Sequence, residues 1–157
     1  DHHKKVQSLY EKLLKDVEGI TVHSQPQTGG YDSNYWLCTI LLDPSLKVRG
    51  QENAYKEVIT SAVGGAAGVV HSVSTAITDC QPNDNVEALR TYMLEKKVEA
   101  RPLWKPMHKQ PVYAGAATYT NGVEEELFKV GFCLPAGPYV TDEDVRYIVD
   151  CIKEAIE

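Results

Sequence analysis

Apolar residues recur at helical spacing in several stretches of this chain, and short apolar runs separate those stretches. The first stretch predicts an amphipathic helix that stops at Gly19, because spacings of three and four place its apolar residues on one face. These residues are Val6, Leu9, Tyr10, Leu13, Leu14 and Val17. Residues 20–22 and 34–43 are the first two predicted strands, the second being dense in Trp, Ile and Leu.

The carboxyl-terminal half alternates helices with short strands. Capping-box spacings at residues 84–87 and 121–124 predict two helix starts. Residues 98–100 are predicted as a short strand, and residues 132–135 as a buried strand or turn. Thr141 is the predicted N-cap of the last helix, whose inward face is Val145, Ile148, Val149, Ile152 and Ile156. Short connections between these elements predict an α+β fold, in which a small sheet is covered by helices.

Residues 52–78 are harder to interpret. Their apolar residues keep helical spacing, yet the three glycines in residues 64–68 each cost about 1 kcal/mol in a helix relative to Ala. Val69, Val73 and Ile77 also fit the alternation of a strand. We interpret the stretch as a helix broken at the glycines. It is not a phosphate-binding loop, because it lacks the Gly-Lys-Ser/Thr ending and follows no predicted strand.

Composition narrows the class of protein. A chain of 157 residues fits one domain with a sizeable core. The net charge of −6, without a basic block, argues against nucleic acid and anionic membranes as partners, and no apolar run reaches transmembrane length. Four cysteines without CxxC spacing indicate reduced thiols of a cytosolic protein. The chain begins without Met and inside a helical pattern, which suggests a fragment of a longer protein.

The candidate chemistry lies in the proline-rich segment, residues 101–113. Three prolines there remove amide donors and fix φ, which predicts a rigid, irregular path. Arg101 could bind an anion, Trp104 could stack on a ring, and His108 could act as an acid or base or donate to a sugar or phosphate oxygen. In the alternative interpretation Trp104 fills the core, Arg101 pairs with Glu99, and His108 is merely exposed. No histidine spacing suits a metal, so we expect no metal site.

The proline-rich segment, with the runs LFKVGFCLPAGP and TDEDVRYIVDCIKEAI that follow it, resembles the carboxyl-terminal part of the DegT/DnrJ/EryC1/StrS sugar aminotransferases. These are fold-type-I enzymes that depend on pyridoxal phosphate. KKVQSLYEKLL and NYWLCTILLD resemble their domain-linking helix and first small-domain strand. The resemblance covers residues 1–47 and 81–157. Residues 48–80 depart from the family's usual pattern and look like an insertion, which we expect to be helical. It implies one small domain, residues 1–157, with a mainly antiparallel sheet, and a large cofactor-binding domain that this chain lacks.

The resemblance also implies where the chemistry lies. The Schiff-base lysine and the cofactor-binding groups belong to the large domain, so we expect no catalytic residue and no bound pyridoxal phosphate in this chain. The residues implied to contact substrate are His108, Arg101, Trp104, Asn34, Tyr35 and Trp36. The implied parent is a cytoplasmic homodimer that transfers an amino group, from glutamate, to a 4-keto nucleotide sugar in bacterial polysaccharide or glycan synthesis. Two alternatives are a free-standing α+β binding or regulatory domain and a non-catalytic relative of the enzymes.

Overall fold

A computed structural model describes residues 1–26, 28–55 and 80–156. The helices in these ranges are α1 (His2–Leu14), α2 (Asp84–Glu95), α3 (Val123–Val130) and α4 (Asp142–Ala155). The strands are β1 (Ile20–Val22), β2 (Cys38–Leu42), β3 (Arg101–Pro102) and β4 (Gly131–Leu134). Single 3-10 turns lie at Gln51–Asn53, Met107–Lys109 and Pro111–Tyr113. The predicted helical insertion at residues 48–80, with Val69 and Val73, lies mostly outside the described residues.

The strands form one sheet in the order β1-β2-β4-β3, and every strand pair within the described ranges is antiparallel. This confirms the predicted α+β class with its mainly antiparallel sheet. In the middle of the sheet, Thr39 of β2 and Arg101 of β3 both lie opposite Cys133 of β4. Strand β3 is an edge strand, where Pro102 is tolerated because one side needs no amide donor.

The main core lies between one face of the sheet and helices α1, α2 and α4. Cys38, Ile40 and Leu42 are buried in it and alternate with half-buried Thr39 and Leu41, as expected for a strand with one face on the core. Helix α3 contacts β2 and β3, and its Phe128 is buried outside this core cluster. No described helix is both long and apolar enough to cross a membrane.

The cysteines lie in or beside this core. All four are buried and none forms a disulfide bond, which confirms the prediction of reduced thiols. Burial raises the pKa of the Cys38 thiol to about 12, and it also raises the pKa of Cys133. Such thiols stay protonated near neutral pH and are therefore poor nucleophiles.

Two predicted capping boxes are wrong. Helices α2 and α3 have no side-chain hydrogen bond at their N-caps. The carboxylates that were expected to close the boxes have other partners: Glu87 accepts from the Arg90 guanidinium and Glu124 from the Thr120 hydroxyl. At α4 the predicted N-cap, Thr141, is confirmed. Its hydroxyl accepts a hydrogen bond from the amide of Asp144, and the Asp144 carboxylate accepts one from the amide of Thr141.

Three predicted boundaries also move. Helix α1 ends at Leu14 rather than at Gly19, which instead has a left-handed φ of 78° before β1. The strand predicted at 98–100 lies at Arg101–Pro102, because the preceding Lys97 has a left-handed φ of 63° and redirects the chain out of α2. At the other end of the chain, Ile156 is the C-cap of α4, and its side chain packs against the core as predicted.

Candidate functional site

The structure brings together two predicted site residues that are far apart in the sequence. The indole rings of Trp36 and Trp104 have centroids 6.2 Å apart, and their planes are inclined at 32°. Each residue is 64% exposed, so Trp104 does not fill the core. We call these two residues the indole pair. It presents a large apolar surface to solvent, as a ring-binding surface would.

A tight turn sets the position of Trp36 just before β2. The Ser33 hydroxyl accepts from the amide of Tyr35 at 3.0 Å, and the Asn34 side-chain oxygen accepts from the amide of Trp36 at 3.1 Å. Tyr35 adopts a left-handed φ of 47°. These side-chain bonds replace the ladder bonds of a strand. The apolar pattern predicted that this strand begins at Asn34. These hydrogen bonds explain why β2 begins at Cys38 instead.

His108 points toward α3 and not into solvent. Its side chain is 17% exposed, with Nε2 3.0 Å from Oε1 of Glu125 and Nδ1 3.8 Å from Oε1 of Glu124. The Lys109 ammonium lies 3.3 Å from Oε2 of the same Glu125. Hydrogen bonds from His108 and then from Lys109 hold the pKa of Glu125 below its usual value. Glu125 is therefore an ionised acceptor for two neighbouring cationic or donor groups.

Local structure on both sides creates this cluster. A 3-10 turn, Met107–Lys109, closes when the amide of Lys109 donates to the Pro106 carbonyl at 2.9 Å. The Gln110 side chain donates to the Lys105 carbonyl at 3.0 Å and braces the turn. Opposite it, α3 begins with three consecutive glutamates, where negative charge is favourable to the helix dipole.

Arg101 pairs with Glu99, as expected if it has no functional role. Its guanidinium forms an ion pair with Glu99, and the two side chains are 75% and 73% exposed. Exposed pairs of this kind contribute about 0–1 kcal/mol. An anion could therefore replace Glu99 at little cost in stability.

The described cavities lie elsewhere. One, of about 510 Å³, is lined by the start of α2 and by Lys129. Another, of about 440 Å³, lies between the end of α1 and Lys153 and Ile156. Neither lining includes the indole pair or His108. The indole pair and Arg101 are exposed, whereas His108 is largely buried against α3.

Three described lysines in the carboxyl-terminal half already have interaction partners. Lys109 is ion-paired with Glu125, and Lys129 with Glu126 at 2.7 Å. Lys105 also has an interaction partner. Because these lysines already have partners, we assign no cofactor step to them.

Sequence reasoning missed Glu124, Glu125 and Lys109. Two of them lie in the first turn of a helix, where a favourable dipole interaction already explains acidic residues. The potential metal-binding atoms of Glu124, Glu125 and His108 lie within 4.8 Å of one another. Zinc could use such donors, but the Lys109 ammonium already neutralises one carboxylate. We therefore regard the cluster as an ion-pair network.

Sequence comparison finds relatives along the whole chain. A model of the DegT/DnrJ/EryC1/StrS aminotransferase family matches residues 51–153. EpsN of Bacillus subtilis (strain 168), a pyridoxal phosphate-dependent aminotransferase by name, is 38% identical over 94 residues, which cover 55% of this chain and 23% of EpsN. The GDP-perosamine synthase of Escherichia coli O157:H7 is 26% identical over 162 residues, 94% of this chain and 44% of that enzyme. The chain thus spans less than half the length of these relatives.

Solved structures show the same fold. The aminotransferase TlmJ from Streptoalloteichus hindustanus superposes with a TM-score of 0.63 at 16% identity, over 98% of this chain and 31% of TlmJ. DesI, solved in the presence of its TDP-sugar product, gives a TM-score of 0.61 at 17% identity, over 98% of this chain and 30% of DesI.

Proposed function

Because the chain belongs to the DegT/DnrJ/EryC1/StrS aminotransferase family, we propose that it forms the carboxyl-terminal, substrate-facing domain of an enzyme that aminates a 4-keto nucleotide sugar. The family depends on pyridoxal phosphate, and relatives named for GDP-perosamine synthesis and for a TDP-sugar product support a nucleotide sugar as the substrate. In this proposal glutamate supplies the amino group, the enzyme is a cytoplasmic homodimer, and the product enters bacterial polysaccharide or glycan synthesis.

The observation that carries the proposal is the exposed indole pair in an open surface. Two tryptophans, each 64% exposed and in contact with each other, are unusual for a surface that meets only water. An open wall of this kind suits a site completed by another domain. Bound cofactor would supply the amino-transfer chemistry on that other domain, and this chain would bind and orient the substrate.

Each predicted residue has a role in this scheme. The indole pair stacks on the flat or apolar face of the nucleotide sugar. Arg101 exchanges Glu99 for a phosphate, which its planar guanidinium can bind through two parallel hydrogen bonds. His108 contacts the sugar ring. Asn34 and Tyr35 act indirectly, because the turn that they form fixes the position of Trp36.

The test compares the complete gene product with the 157-residue chain. We expect the complete product to show the absorbance of bound pyridoxal phosphate, which borohydride abolishes, and to form an amino sugar from glutamate and a GDP- or TDP-linked 4-keto sugar. We expect neither property of the 157-residue chain. A complete product without a borohydride-sensitive chromophore would support the non-catalytic alternative. A natural reading frame that begins near Asp1 would support the free-standing binding domain.

A further inference from the structure

The turn that leads into α3 contains an exposed asparagine followed by glycine. Asn121 ends a run of exposed residues, 111–121, and Gly122 has a left-handed φ of 86°. The side-chain oxygen of Asn121 accepts from the amide of Val123 at 3.3 Å, and the amide of Gly122 donates to the Thr120 hydroxyl at 3.1 Å. The turn therefore has a defined set of hydrogen bonds although its surface is open to water.

An asparagine followed by glycine can lose its side-chain amide without an enzyme, and asparagine is for this reason a thermolabile residue. The backbone nitrogen of Gly122 forms a bond to Cγ of Asn121, its proton passes to the leaving NH2 group, and ammonia departs as a succinimide ring closes. Water then opens the ring at either carbonyl and leaves aspartate or isoaspartate at position 121. The net reaction consumes one water and releases one ammonia, with no oxidant or reductant.

The contacts of this turn favour closure of the ring. Glycine has no Cβ, so no side chain shields the attacking nitrogen. The amide of Val123 donates to the Asn121 oxygen, where negative charge develops as the new bond forms. The Thr120 hydroxyl, which accepts from the amide of Gly122, itself donates to Oε1 of Glu124. A proton that leaves the nitrogen thus has a path through the hydroxyl to a carboxylate.

We propose that Asn121 is a site of spontaneous deamidation, and that the hydrogen-bond chain from Thr120 to Glu124 accelerates it. The proposal does not depend on the substrate of the parent enzyme. The aspartate product keeps an acceptor for the amide of Val123 and adds negative charge at the start of α3, which is favourable to the helix dipole. The isoaspartate product inserts one more carbon into the backbone after residue 121 and lengthens the turn from which α3 starts.

A second turn of the chain provides a matched comparison. The side-chain oxygen of Asn34 accepts from the amide of Trp36, and the Ser33 hydroxyl accepts from the amide of Tyr35, so the hydrogen bonds at Asn121 are repeated here. Asn34 is exposed, and Tyr35 has a left-handed φ. The difference is that Tyr35 carries a side chain, which shields its backbone nitrogen. We therefore expect Asn34 to keep its amide while Asn121 loses it.

The site is tested in the complete gene product, incubated for several weeks at neutral pH and physiological temperature. Tryptic peptides that span residues 110–129 and 16–47 contain Asn121 and Asn34, respectively, as their only asparagine. Mass spectrometry should show conversion of the amide to aspartate and isoaspartate in the first peptide and an unchanged amide in the second. An unchanged Asn121, or equal conversion of both asparagines, would overturn the proposal.

Substitutions test the hydrogen-bond chain. Thr120→Val removes the hydroxyl and Glu124→Gln removes the carboxylate, and each should slow the deamidation of Asn121 roughly tenfold, less than a general base in an enclosed site contributes. Thr120→Ser keeps a hydroxyl and should keep the rate. Glu126→Gln is the control, because it removes a carboxylate of the same helix that pairs with Lys129, and it should leave the rate unchanged. An equal or higher rate in Thr120→Val and Glu124→Gln would refute the accelerating role.

Discussion

Trp36 and Trp104 contact each other, Trp36 from the turn before β2 and Trp104 from the segment after β3. Aromatic pairs add about 0.5–1.5 kcal/mol beyond the burial of their surfaces. Since both residues remain 64% exposed, little of their surface contributes to folding. A surface that gives so little to stability is free to serve binding.

We therefore expect Trp36→Ala and Trp104→Ala each to lower the free energy of unfolding by no more than about 2.5 kcal/mol, the sum of the pair interaction and the partial burial of each side chain. The same changes should weaken substrate binding to the complete enzyme at least tenfold. Urea unfolding and the KM for the nucleotide sugar measure the two effects. Tyr139→Ala is the matched control, because this aromatic residue is 93% exposed and outside the proposed surface. Large losses of stability with unchanged KM would show that the indole pair is structural.

Gly131, at the junction of α3 and β4, should not tolerate a side chain. A Cβ at this position would lie 2.1 Å from Cδ1 of Leu103 and 2.6 Å from the backbone oxygen of Leu127. Leu103 could turn away, but the backbone could not, so Gly131→Ala should cost about 1–3 kcal/mol. Gly137→Ala is the control, because a Cβ there meets nothing within 4 Å. Equal urea midpoints for the two variants would contradict the described packing.

The Tyr10 hydroxyl ties α1 to the segment after β4. It donates to the Pro135 carbonyl at 2.9 Å, and the ring is fully buried. Burial, followed by the nearby Cys38, raises the pKa of this phenol far above its usual value, so it remains a neutral donor at all ordinary pH. Tyr10→Phe leaves the carbonyl without this donor and should cost about 1–3 kcal/mol. Thermal unfolding measures this loss of stability. The control Tyr147→Phe removes an exposed hydroxyl that donates to the Lys96 carbonyl, and it should lower the stability less.

The capping box of α4 should make stability depend on pH in the acid range. Hydrogen bonds from Thr141 lower the pKa of Asp144 in the folded protein. A depressed pKa stabilises the fold at pH values above the unfolded pKa, and this stabilisation disappears as the pH falls through the folded pKa. Thr141→Ala should cost about 1 kcal/mol near neutral pH and less once the pH has fallen below the folded pKa of Asp144. A constant difference between the two proteins across the acid range would count against this linkage.

Sequence patterns predicted the helices well because their apolar spacing is a local property. Strand boundaries were less accurate, since the left-handed residues Tyr35 and Lys97 redirect the backbone where the apolar pattern continues. The site was predicted only in part. The proline-rich segment was identified, but its partner Glu125 is 17 positions from His108, and no spacing rule connects a 3-10 turn with a helix start at that distance. The sequence likewise offered no reason to pair Trp36 with Trp104.

The strand order has a consequence for how the chain is made. Strand β4 lies between β2 and β3, although it is the last of the four to leave the ribosome. Until residues 131–134 emerge, β2 and β3 each present an unpaired edge, and α1 lacks α4, against which it packs. Exposed edges invite pairing with other chains. Synthesis that stalls before residue 131 should therefore yield aggregates and not a smaller native domain. Once β4 has formed, it pairs with β2 and β3 together and completes the sheet.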